Sequence, residues 1–203
     1  MKKLAILMAL ALVASLLVFY GGQTAKASHP PGPVAYWPFD EGSGTTAFDS
    51  AHNNDGTLKN GPVYQGGADF APIPSNVDAL SFDGVDDFVE AANEANFDFE
   101  RTDTFSISAW VKTSSNDIED IVSRMGNTAP NRGYQLIKHQ ATGSGFGVPF
   151  GNRLYFFLIN GFPGNMIRVA GSTDISDGQW HHVTVTYDGS SSASGVKIYL
   201  DGV

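Results

Sequence analysis

Phe105-Ser106-Ile107-Ser108-Ala109-Trp110-Val111-Lys112 is the stretch that decides the fold. Its Phe, Ile, Ala and Val occupy alternate positions, so they lie on one face of an extended chain. The same period of two runs through 183–187 and through 196–200. This alternation is typical of antiparallel strands that bury one face.

The rest of the chain continues this β pattern. The run Leu154–Ile159 is wholly apolar, which predicts a strand buried on both faces. Four Asp-Gly dipeptides predict tight turns: Asp83-Gly84, Asp177-Gly178, Asp188-Gly189 and Asp201-Gly202. We therefore expect an all-β fold, a two-sheet antiparallel β-sandwich of the jelly-roll kind.

The N-terminal segment has the layout of a secretory signal peptide. Lys2 and Lys3 precede an uncharged apolar run, and Ala25-Lys26-Ala27 offers small residues at a cleavage site. We expect a signal peptide over 1–27, a Pro-rich linker over 28–33 and one domain over 34–203. The alternative is an uncleaved membrane anchor. The predicted location is secreted or at the cell surface, with no membrane contact after cleavage.

Composition limits the partners of the domain. The chain has no cysteine, so disulfides do not stabilise it. Removing Lys2, Lys3 and Lys26 with the leader leaves nine basic residues against 21 acids, a net charge of −12. Such a surface repels phosphate backbones and argues against nucleic acid. It is compatible with cations, neutral glycans or a basic protein.

Several motifs in order resemble the laminin-G-like jelly-roll domains of the concanavalin A-like lectin/glucanase superfamily, of the bacterial secreted type. The motifs are Ala35–Gly44, Asp49–Leu58, Ala79–Val89, Phe105–Lys112, Asp177–Val183 and Val196–Val203. The family more often has Ser-Gly where Ala51-His52 stand here. The resemblance implies two antiparallel sheets with a concave face. It also implies final strands that follow Asp201-Gly202-Val203, so we expect a C-terminally truncated, aggregation-prone form.

Catalytic and zinc motifs do not emerge from the sequence. Glycosidases on such sandwiches use a Glu-x-Asp-x-x-Glu strand, which is not found here. The acidic stretch Asp117–Asp120 is too compact, and we interpret it as solvated loop charge. His181 and His182 are adjacent in a strand and point to opposite faces, so they do not chelate one zinc ion readily. We expect a non-enzyme.

Calcium is the expected cofactor, because it takes oxygen ligands from irregular loops. Acidic residues lie in glycine-containing loops, and the resemblance implies a calcium ion there. The predicted ligands are Asp49, Asp83, Asp40 and Asn54. Turn capping by Asp and Asn explains the same residues without a metal.

Glycan binding is the expected function, by family analogy. Trp110 lies on the face of its strand opposite the apolar side, and Tyr155 and Arg153 are further candidates from a neighbouring strand. Core packing is the alternative role for each of these residues. Two other functions stay open: a structural or adhesive protein–protein module, and an accessory domain of a secreted carbohydrate-active enzyme whose catalytic part lies outside this chain.

Overall fold

The computed structural model describes residues 5–9, 12–13, 32–67, 76–126, 131–140, 144–145, 148–149, 151–161 and 164–203. In this part of the chain the only helices are short 3₁₀ turns at Glu94–Phe97 and Ala193–Gly195. The strands are β1 (Ala5–Ala9), β2 (Leu12–Val13), β3 (Thr46–Ala47), β4 (Gly56–Lys59), β5 (Val63–Gly66), β6 (Asp78–Ser81), β7 (Asp83–Ala91), β8 (Phe105–Lys112), β9 (Glu119–Met125), β10 (Gly133–Lys138), β11 (Ser144–Gly145), β12 (Val148–Pro149), β13 (Arg153–Gly161), β14 (Asn165–Asp174), β15 (Trp180–Tyr187) and β16 (Val196–Leu200).

The strands form two large antiparallel sheets. The eight-stranded sheet has the order β14-β13-β10-β9-β1-β7-β4-β3, and the six-stranded sheet has the order β16-β15-β8-β2-β6-β5. One apolar core contains residues of both sheets, for example Ile107 and Val183 from one and Leu136 and Phe156 from the other. The predicted two-sheet β-sandwich is therefore confirmed.

Strand β13 is covered on both faces, as its apolar run predicts. Leu154, Phe156 and Leu158 pack into the main core. Tyr155 and Phe157 belong to a second buried cluster on the opposite side of the same sheet. A strand with two apolar faces needs cover on both, and this one has it.

The predicted Asp-Gly turns all place glycine at positive φ, at Gly84, Gly178, Gly189 and Gly202. At Gly189 a Cβ atom would also lie 2.6 Å from the Thr102 carbonyl oxygen. Only glycine fits a left-handed position with so close a neighbour.

The N-terminal strands occupy interior positions in both sheets. Strand β1 pairs with β7 and β9, and β2 pairs with β6 and β8. The predicted cleavage site at Ala25–Ala27 lies outside the described residues, as does most of the predicted linker. Among the described residues, no helix is long and apolar enough to cross a membrane.

Candidate functional site

Trp110 lies on the outer face of the six-stranded sheet. Its neighbours in β8, Ala109 and Val111, are buried in the sandwich, so alternation turns the Trp110 ring outward. His182 of β15 is its direct partner in the antiparallel register, and the two ring centroids are 5.0 Å apart. Trp110 and Trp180 also pack against Ala79 of β6.

Hydrogen bonds fix the histidine in this group. The His182 Nε2 atom lies 2.7 Å from the Ser108 Oγ atom, which in turn lies 3.2 Å from the Thr184 hydroxyl. Burial lowers the pKa of His182, and the nearby Asp201 carboxylate opposes this only in part. The imidazole is therefore neutral at pH 7. We call Ser108, Trp110, Trp180 and His182 the Trp110 surface.

Tyr155 and Arg153 do not join the Trp110 surface. Both lie in β13, which belongs to the eight-stranded sheet, whereas Trp110 lies in the other sheet. Tyr155 faces away from the sandwich core, so it and Trp110 are on opposite outer sides of the molecule. Its ring is only 1% exposed and packs edge-on against His139. The expectation that Tyr155 and Arg153 lie on a strand next to Trp110 is therefore wrong. Apolar periodicity predicts strands, but it does not predict which sheet a strand joins.

Asp49 is a structural centre in the loop that follows β3. Its Oδ1 atom accepts hydrogen bonds from the Tyr36 and Ala51 backbone N–H groups, at 2.8 and 2.9 Å. Its Oδ2 atom accepts from both the backbone and the side-chain nitrogen of Asn54. Burial alone would raise the pKa of this carboxyl, but these hydrogen bonds outweigh it and hold the pKa below its ordinary value.

The other two predicted loop ligands also bond within the protein. The Asn54 Oδ1 atom accepts from the Asn96 Nδ2 atom at 2.7 Å, and the Asn54 Nδ2 atom donates to the Val34 carbonyl. The Asp40 carboxylate accepts from the backbone N–H groups of residues 77 and 78. These contacts match the alternative in which Asp and Asn order turns.

Asp83 is the predicted ligand that lies in an acidic cluster. In the described part of the chain, Asp83, Asp86 and Asp87 form the one group of three metal-ligating side chains whose ligand atoms lie within 4.8 Å of one another. Calcium–oxygen distances are about 2.3–2.6 Å, so two ligand atoms of one ion can be as far apart as these carboxylate oxygens are. A cleft of about 230 Å³ lies next to it and is lined by Asp83, Asp117 and Glu119 among others. The geometry thus fits calcium at Asp83 and does not bring Asp40, Asp49 or Asn54 to it.

His181 and His182 have separate partners, as expected for neighbours in a strand. The two imidazole nitrogens of His181 lie 2.8 Å from Asp201 Oδ2 and 3.2 Å from Asp177 Oδ1. Burial would lower the pKa of His181, but these two carboxylates outweigh it and raise the pKa. His181 therefore links the turn before β15 to the turn after β16.

One buried charged pair was not predicted from the sequence. Lys138 and Glu119 are opposite each other in β10 and β9, and their Nζ and Oε2 atoms are 3.6 Å apart. The Lys138 side chain is only 1% exposed and also donates to the Ser115 carbonyl at 2.8 Å. The interpretation of Asp117–Asp120 as solvated loop charge is wrong for Glu119 and Asp120, which both lie in β9, and Glu119 is buried there. Nothing in the local sequence signals a partner nineteen positions away in the chain.

Comparison with known proteins supports the fold independently. A laminin-G family model, described as the Concanavalin A-like lectin/glucanases superfamily, matches residues 83–203. No curated protein and no solved structure matches the chain. The matched segment contains β7 to β16, and therefore the Trp110 surface and the acidic cluster. The chain belongs to the concanavalin A-like lectin/glucanase superfamily, as a domain of the laminin-G type.

Proposed function

We propose that this protein is a non-catalytic extracellular recognition module that binds carbohydrate on the Trp110 surface. Laminin-G-like domains bind glycans or proteins and are generally extracellular. The observation that carries the proposal is the outward Trp110 ring, 5.0 Å from a neutral His182 that bonds to Ser108. An apolar ring beside polar groups suits a sugar, which has apolar ring faces and hydroxyl edges.

A glycan array, followed by calorimetry on the hits, tests this proposal. Trp110→Ala should weaken the binding of neutral oligosaccharides by about 2- to 13-fold, because a stacking contact of an aromatic ring contributes about 0.5–1.5 kcal/mol. Phe48→Ala is the matched control, since Phe48 is an exposed aromatic outside the surface. Equal losses in both variants, or no loss in either, would contradict the proposal.

A protein ligand is the competing outcome of the same experiment. If an extracellular protein binds the domain and no sugar competes, the adhesive function is supported instead. The Trp110→Ala variant then reports whether the same surface is used.

We also propose that calcium stabilises the fold through Asp83, with Asp86 and Asp87. Three carboxylates so close together repel one another, and a divalent cation would remove that repulsion. The Asp83 Oδ1 atom already accepts from the Val85 N–H, and the Asp87 Oδ2 atom accepts from the Asp83 N–H. These bonds orient two of the three side chains.

Export through a signal peptide over 1–27 completes the proposal. The basic start, the apolar run and the small residues before Ser28 support it. Mass spectrometry of the secreted product should find Ser28 as the new N-terminus. A membrane-held chain that retains 1–27 would contradict it.

A further inference from the structure

A second cleft lies at one end of the sandwich and shares no residue with the Trp110 surface. It has a volume of about 480 Å³, within the range of small-ligand sites. The loop before β8 forms one wall, and the β10, β13 and β14 ends form the other. The site is therefore bounded by strands of the eight-stranded sheet and by loops that flank strands of the six-stranded sheet.

Part of the lining of this end cleft is apolar. Leu158 and Ile167 are opposite each other in β13 and β14, and both line the cleft. Phe99 lines it as well and stacks on Phe105, with ring centroids 4.9 Å apart. An aromatic ring held by such stacking offers a fixed surface for a ligand ring.

The rim of the cleft combines hydrogen-bond donors with acceptors. Arg101 and Arg132 supply guanidinium groups, and Asp98 and Glu100 supply carboxylates. The Arg132 Nε atom donates to the Asn160 carbonyl at 3.2 Å, which holds its side chain at the rim. Such a set can bond vicinal hydroxyls and can also neutralise a negative group.

Arg124 lies behind the Asp98 wall with its charge only partly compensated. Its side chain is 5% exposed, and its Nη2 atom contacts Asp98 Oδ1 at 3.5 Å. Its Nε and Nη1 atoms have no hydrogen-bond partner among the described residues. A buried cation with one long contact to a half-exposed acid favours a further negative charge nearby.

The concentration of arginine at this end is unusual for so acidic a chain. Two of the five arginines in the sequence, Arg101 and Arg132, line this cleft, and Arg124 lies behind it beside Asp98, although the net charge is −9. We propose that the end cleft binds a carboxylate-bearing sugar of the hexuronate class. Its carboxylate lies against Arg101 and Arg132, its hydroxyls bond to Asp98 and Glu100, and one ring face rests on Phe99.

Calorimetry with a galacturonate trisaccharide tests the inference, with the uncharged galactose trisaccharide for comparison. Arg101→Gln and Arg132→Gln should each weaken uronate binding about tenfold or more, because each removes a charge-assisted hydrogen bond. Both side chains are exposed, and the Arg101 carbonyl that accepts from Tyr187 is kept, so folding is preserved. Lys197→Gln, which removes one exposed charge from β16, is the matched control.

The inference is upheld if the uronate binds more tightly than the neutral sugar, and if only the two arginine variants lose it. It is overturned by equal binding of both sugars, by no uronate binding at millimolar concentration, or by unchanged binding in both variants. Because Trp110→Ala leaves this cleft intact, failure here is distinguishable from failure of the Trp110 surface.

Discussion

Asp49 binds Asn54 through both the main chain and the side chain: one carboxylate oxygen, Oδ2, accepts from the Asn54 backbone N–H at 3.1 Å and from its Nδ2 atom at 2.8 Å. Asn54 in turn connects to the core, because its main-chain carbonyl accepts from the buried Trp37 indole N–H at 2.9 Å. An acidic loop residue thus anchors the start of the domain.

Replacing Asp49 by Ala should therefore destabilise the domain by about 3 kcal/mol, because it leaves buried donors without an acceptor. The loss should be the same in calcium and in chelator, as measured by chemical denaturation. A loss seen only in calcium would instead identify Asp49 as a metal ligand.

Lowering the pH should destabilise the domain through the same Asp49 carboxyl. A carboxyl whose folded pKa is lowered stabilises the protein above its unfolded pKa, and that stability is lost as the pH falls through the folded value. The free energy of unfolding should drop below about pH 4, with a flatter profile in Asp49→Asn. Superimposable profiles would contradict the assignment.

The contacts of His181 with Asp177 and Asp201 predict the opposite pH dependence of stability. Its folded pKa is raised above the ordinary 6.5, so the stabilisation is complete below that value and is lost as the pH rises through the folded pKa. The melting temperature should fall across that window, by the equivalent of up to about 1 kcal/mol for a partly exposed pair. In His181→Gln this fall in melting temperature should disappear. An unchanged fall would assign the effect to another titratable group.

Calcium should raise the melting temperature through the acidic cluster. A bound ion stabilises the native state by RT ln(1 + [L]/Kd), so the shift should grow with calcium concentration. Asp83→Asn and Asp86→Asn should each reduce that shift, and Glu94→Gln, an acid outside the cluster, should not. Identical melting curves in chelator and in millimolar calcium would rule the site out.

The buried Lys138–Glu119 pair predicts a strongly non-additive double-mutant cycle. Burial lowers the pKa of Lys138 and raises that of Glu119, and their mutual attraction offsets this in part. Lys138→Met should cost about 3–5 kcal/mol, because it leaves a buried carboxylate unpaired. Lys138→Met with Glu119→Gln should recover much of the loss, as measured by urea unfolding. Additive single losses would show that the pair does not interact.

The fold was predictable because its signals are local. Alternation in β8 and β15, the apolar run in β13 and the Asp-Gly turns each depend on neighbours in sequence. The site was predictable only in part. Trp110 faces outward as its strand dictates, but its partner His182 and the far position of Tyr155 follow from sheet order. The Lys138–Glu119 pair likewise depends on a strand register that side-chain patterns do not specify.

The interior place of β1 and β2 also sets an order of events. Ala5 pairs with Ser123, and Leu12 pairs with Val111, so these contacts form only after 118 and 99 further residues, respectively, have been synthesised. A targeting signal, by contrast, acts at the start of synthesis, while its apolar segment is still free to be recognised. If residues 1–27 are the export signal that we propose, strand pairing and targeting are two roles of the same residues that exclude each other in time. A chain that folds with residues 1–27 in place pairs β1 and β2 inside its sheets, whereas a chain cleaved after Ala27 folds without these two strands.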